Sequence, residues 1–162
     1  MITNLLVLAC LSIALVSAVV GGVFLSFSDF IMRGLALARP AGGIEAMQQI
    51  NRTVLRSIFL TAFVLLLPAV YGLAAYALIR LSGPAQSLIY LGAGLYLATV
   101  FLVTAFGNVP MNRRLDAFDP GDEAAELYWS DYVRRWTGLN HWRTAGSLAT
   151  AICFLAAARE LV

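Results

Sequence analysis

From Leu5 to Phe27 the chain runs without a charged side chain, and from Leu88 to Phe106 it does so again. Leu55 to Ile79 is interrupted only by Arg56, near its start. About 20 consecutive apolar residues cross the hydrocarbon core of a bilayer at 1.5 Å per residue. Each backbone polar group in such a segment must be satisfied internally, and a helix does this within one stretch of chain. A fourth apolar segment, roughly Ala145 to Ala158, is shorter. Trp142 before it and Leu161 and Val162 after it lengthen it, and Arg143 and Arg159 can extend their charged ends to the interfaces. The pattern predicts an all-α fold, a four-helix transmembrane bundle forming one domain over 1–162. The spans fall at 5–27, 55–79, 88–106 and 143–160. A re-entrant or interfacial last segment is the alternative.

Composition supports lipid as the solvent. Of 162 residues, 60% are hydrophobic and 12% charged, where a soluble domain has about a quarter charged. One small soluble domain cannot hide that much apolar surface. The net charge is +2 with no lysine and no basic run, which argues against nucleic acid as a partner. The expected partner is the bilayer itself; oligomeric state is not encoded here. Cys10 and Cys153 both lie in apolar stretches and read as small hydrophobes. Val7-Leu8-Ala9-Cys10 resembles a lipoprotein cleavage box, but no Lys or Arg precedes it and the apolar run continues past a signal-peptide length, so an uncleaved span is expected.

Charge asymmetry gives an orientation. With four spans, the two long connections, 28–54 and 107–144, fall on one side of the membrane. With the adjoining span ends they hold Arg33, Arg39, Arg52, Arg56, Arg113, Arg114, Arg134, Arg135 and Arg143, leaving only Arg80 and Arg159 opposite. The positive-inside rule then places the long connections in the cytoplasm and both termini outside the cell membrane. Neither connection reads as coil. Ile44, Met47, Ile50, Val54 and Ile58 recur at helical spacing into the second span, and a helical pattern from about Glu123 runs into the fourth. Helices two and four are therefore expected to project on the cytoplasmic side around a small polar vestibule. Pro68 is expected to kink the second span.

Trp129, Tyr132, Trp136, Asn140, Arg143 and Ser147 share one helical face. They form either an interfacial aromatic belt or the wall of a site, since polar groups facing a bundle interior are costly and mark function. A flat aromatic ligand suits the second reading. In Phe106-Gly107-Asn108-Val109-Pro110-Met111-Asn112, Gly107 can close the third helix and Pro110 stiffen a turn. Asn51, Asn108 and Asn140 recur at similar depth, more amides than capping needs. His141 is the only histidine: a general base, or an interfacial hydrogen-bonding group. It stands about 100° from Asn140 on a continuous helix, unless Gly138 breaks that helix. No His/Cys/Asp/Glu cluster has metal-ligand spacing. No phosphate loop or nucleotide fingerprint is present. The acids Asp116, Asp119, Asp122, Glu123 and Glu126 read as a solvated loop and helix start.

Ala46 to Asn51, Gly107 to Asn112, and Trp129-x2-Tyr132-x3-Trp136-x3-Asn140-His141-x-Arg143-Thr144 resemble the anthrone oxygenase-like small integral membrane proteins, in order and over nearly the whole chain. The resemblance implies oxidation of an anthrone to an anthraquinone by O₂ without flavin or haem, so no cofactor is expected. It marks Asn51, Asn108, Pro110, Asn112, Trp129, Tyr132, Trp136, Asn140, His141, Arg143 and Thr144. In an oxygenase reading, His141 would take a proton from an activated C–H and Asn108, Asn140 and Arg143 would stabilise the resulting anion, with Asn51, Asn112, Trp129, Tyr132 and Trp136 as the binding wall for a hydrophobic aromatic molecule. A small transporter or lipophile-binding protein, or a structural and assembly protein, remain open readings of the same residues.

Overall fold

A computed structural model describes residues 2–162, and those residues form five helices and no strand. We number them α1 (Ile2–Leu37), α2 (Pro40–Val54), α3 (Ile58–Arg80), α4 (Pro84–Asp116) and α5 (Glu123–Glu160). Helices α1, α3 and α4 are long and apolar enough to cross a membrane, which makes this a membrane protein. The fourth predicted span is not among them. It is the second half of α5, whose first half is polar and aromatic, and the 38 residues of α5 extend roughly 57 Å at 1.5 Å each.

Helices α1, α3, α4 and α5 enclose one apolar core, centred on Phe24, Val70, Ile89, Tyr96, Val100 and Phe154. The longest interface is between α1 and α5, and α4 covers the next face of α5. Close approach there depends on missing side chains. A Cβ at Gly146 would collide with Thr99 Oγ1, and one at Gly92 would lie 2.8 Å from the Phe154 ring. Away from the core, α1 exposes Leu5, Leu8, Leu15 and Val19, a stripe at helical spacing that lipid would cover.

A second, smaller core lies at one end of the long helices. It joins Met32, Ile44, Met47, Leu115, Trp129, Tyr132 and Trp136 from α1, α2, α4 and α5. Buried Gln48 fixes α2 onto this end, donating from Nε2 to the carbonyls of Leu115 and Phe118, each at 2.9 Å.

Three expectations about the helices need correction. The second helix does not run from the cytoplasmic segment into the span. It breaks at 55–57, where Ser57 takes φ −96, ψ 152 and its Oγ accepts from Leu60 N–H to start α3 afresh. The third helix does not end at Gly107: it passes through 104–108 in π register and continues to Asp116. The wider π turn accommodates Pro110, which has no N–H to give. The projecting helices are therefore α1, α4 and α5, with α2 a separate piece. The α3–α4 turn is closed by Gly83 at φ 82, a backbone setting that favours glycine, followed by Pro84 in the first turn of α4.

Candidate functional site

A cavity of about 340 Å³ lies between the two cores, at the small end of the range for ligand pockets. Its apolar wall comes from α1 (Val23, Phe24, Phe27) and α3 (Phe59, Leu60, Phe63). Its polar wall comes from Asn51 on α2, Asn108 and Asn112 on α4, and Trp136 and Arg143 on α5. Phe27, Thr104 and Asn108, all lining residues, sit in π segments of α1 and α4. Such turns re-aim side chains and recur at functional sites.

Arg143 is the feature that most needs explaining. It is 7% exposed, its Nε has no hydrogen-bond partner, and no carboxylate pairs with it among the described residues. Its guanidinium lies 3.8 Å above the Phe24 ring and 5.6 Å from Trp136. Cation–π contact of this kind recovers only about 1–2 kcal/mol, well short of what removing an ion from water costs. A buried, unpaired cation on a cavity wall would gain most from an anionic partner.

The amides around it are held in defined orientations. Asn108, 1% exposed, donates through Nδ2 to the Trp136 carbonyl at 3.2 Å, leaving Oδ1 without a partner. Asn112 Oδ1 accepts from both Tyr132 O–H (2.9 Å) and Trp136 Nε1–H (2.8 Å). Burial raises the ionisation of Tyr132 above the ordinary phenol range, so its hydroxyl stays a donor. Asn51 lies close enough to act weakly against that shift, yet its Nδ2 makes no hydrogen bond of good geometry.

The remaining expected residues fall elsewhere. Trp129 and Tyr132 are buried in the second core and stack at 5.6 Å, and Tyr132 stacks on Trp136 at 6.3 Å. Tyr132 thus fills the space between the two indoles, so no ligand slot exists there; only Trp136 faces the cavity. Asn140 is fully buried and donates to the Phe24 carbonyl (2.6 Å) and Ser28 Oγ (2.7 Å), tying α5 to the start of the π turn in α1. Thr144 donates back to the Asn140 carbonyl. His141 is exposed and does not line the cavity, because α5 runs unbroken through Gly138 and keeps it off the inward face. Among the described residues, no three His, Cys, Asp or Glu side chains gather closely enough to hold a metal ion.

Sequence reasoning missed Phe24, Phe27, Phe59 and Phe63, which nothing distinguishes from ordinary span residues, and the Arg52–Asp116 ion pair (2.8 Å) among the lining residues. Helical spacing of Asp116 from Asn108 and Asn112 was the only available signal for the latter.

The family model for anthrone oxygenase matches residues 47–153, more than half of the chain and all of the polar cavity wall. The chain belongs to the anthrone oxygenase family. No curated protein and no solved structure matches it.

Proposed function

We propose that this family member is a multi-pass membrane oxidoreductase that oxidises a planar anthrone-type or phenolic substrate with O₂ in the cavity beside Arg143. The supporting observation is the buried guanidinium without a counter-ion, facing a mostly apolar space with amides at its edge. The flat substrate lies against the Phe24, Phe63 and Trp136 rings. Loss of one proton from its ring CH₂ to water at the mouth gives an anion whose charge spreads onto the carbonyl oxygen. Arg143 and the amides hold that oxygen, which stabilises the anion and the transition state leading to it. The carbanion carbon bonds to O₂. The resulting peroxide anion takes a proton from water, and the hydroperoxide then loses its C–H proton as the O–O bond breaks, releasing water and leaving a carbonyl. The sum is CH₂ + O₂ → C=O + H₂O, a monooxygenation. His141 has no part in this scheme, and Asn140 acts by fixing α5 against α1.

In this reading the second half of α5 is the fourth span of a four-helix transmembrane bundle. Its outward side chains Leu148, Ile152 and Leu155 are exposed apolar groups of the kind lipid covers. The arginine asymmetry puts the cavity end in the cytoplasm and both termini outside.

The test is O₂ uptake by the purified protein in detergent or proteoliposomes, with formation of the quinone chromophore. Wild type consumes O₂ with an anthrone, and Arg143→Met lowers kcat/KM by about a hundredfold or more, the scale of losing one oxyanion donor. Failure to consume O₂ with any anthrone or hydroquinone overturns the proposal. Recovery of the ligand unchanged after crossing a vesicle would favour a carrier.

A further inference from the structure

The geometry points to Asn112 as the positioning residue that makes the cavity select the ionised form of its ligand. An amide side chain is normally ambiguous, since its oxygen and nitrogen ends are nearly isosteric. At Asn112 the ambiguity is removed. Two donors, Tyr132 O–H and Trp136 Nε1–H, converge on one end, and only the oxygen can accept both. The NH₂ end is therefore the one left for the cavity that Asn112 lines.

Around Arg143 the hydrogen-bonding groups of the polar wall then lean toward donors. Asn112 and Asn51 offer N–H groups, and Arg143 offers N–H groups with a full positive charge. Among the acceptors, Asn108 Oδ1 is buried and without a partner, while the Thr104 hydroxyl and the Asp116 carboxylate also line the space, the latter engaged by Arg52. The titratable and charged groups facing this space are few. Helix α5 contributes Arg143, α4 contributes Arg113 and Asp116, and α2 contributes Arg52, which is already paired with Asp116. Helices α1 and α3 contribute only apolar side chains. Of the possible proton acceptors, the Asp116 carboxylate is held by Arg52 and His141 does not line the cavity. Beside Arg143 a neutral phenol or enol finds Asn108 Oδ1 as the buried unpartnered acceptor for its O–H, whereas its conjugate anion gains the guanidinium charge together with the Asn112 N–H groups. The protein thus captures an anion that the ligand's own ionisation supplies, and the proton leaves to water.

This deepens the oxygenase reading and rests on the same cavity, but it concerns binding alone and can be tested without turnover. The probe is 4-nitrophenol, a phenol whose ionised and neutral forms differ in colour. It is titrated with full-length protein in detergent across the pH range where it ionises. Wild type binds the phenolate about tenfold more tightly than the phenol, seen as a lowering of the bound dye's half-ionisation by about one pH unit. Asn112→Asp keeps an acceptor for both Tyr132 and Trp136 and so retains the melting temperature, but it turns the inward donor into a negative charge. The preference then disappears or reverses. Asn112→Ser keeps an acceptor without the NH₂ and also loses the preference, which guards against a folding failure of the first variant. Retention of the wild-type preference in either folded variant overturns the inference, as does tighter binding of neutral phenol by wild type. A clear phenolate preference without O₂ consumption by any anthrone would sink the oxygenase reading alone. Normal O₂ consumption without the preference would sink this one alone.

Discussion

Gln48 shows how much one side chain settles at this end of the molecule. It is 3% exposed, and its single amide nitrogen serves two carbonyls where α4 ends and the chain turns toward α5. Replacing it by leucine leaves both carbonyls facing an apolar neighbour, at a cost of about 2–3 kcal/mol. We expect Gln48→Leu to lower the melting temperature and loosen α2, seen as faster hydrogen exchange there than elsewhere. Unchanged exchange in α2 would show that α2 is held by its apolar face alone. Arg143 presents the opposite case: among the described residues no carboxylate pairs with it and its Nε has no hydrogen-bond partner. The residue-scale features legible in sequence were those with unusual chemistry at depth, namely Asn51, Asn108, Asn112, Trp136 and Arg143. Their aromatic neighbours on α1 and α3 were not, because phenylalanine in a span is the default.

Among the elements, α5 carries the most. Its inner face changes along its length from stacked aromatics, through Asn140 and Arg143, to small and apolar residues against α1 and α4. That last stretch works because Gly146 lets α4 approach. The Cβ of Gly146→Ala would meet Thr99 Oγ1, whose hydroxyl is held by the Leu95 carbonyl at 2.7 Å. We expect a loss of about 1–3 kcal/mol from overpacking, partly recovered when Thr99→Ala is added, since neighbouring substitutions couple. Equal additive losses in the double variant would show that the two positions do not meet. Helix ends were harder to read than helices. The halt at Ser57 is a cap on a residue that periodicity carried straight through, and the passage through Gly107 is a π turn, which leaves no mark in an apolar pattern.

At the scale of the whole molecule, the proposed topology can be probed with single engineered cysteines, because Cys10 and Cys153 are both buried. Ser82→Cys, in the α3–α4 turn, should react with a membrane-impermeant maleimide on intact cells. Asp119→Cys, in the α4–α5 connection, should react only after permeabilisation. The reverse pattern would invert the molecule, and labelling of both without permeabilisation would mean that α4 does not cross.

Sequence by itself determined that this chain is helical and lives in lipid, because long uncharged runs have few other stable states in water or membrane. It also determined which amides and which guanidinium stand out, since a polar group in such surroundings is costly wherever it points. Only the tertiary structure decided which of them share a space. Helical rotation along one unbroken α5 sends Arg143 and Trp136 inward while His141, two residues from Arg143, faces out. The packing of α2 and the π turns of α1 and α4 decided where the cavity opens between two cores. Those outcomes depend on contacts between distant segments, which no local pattern of residues specifies.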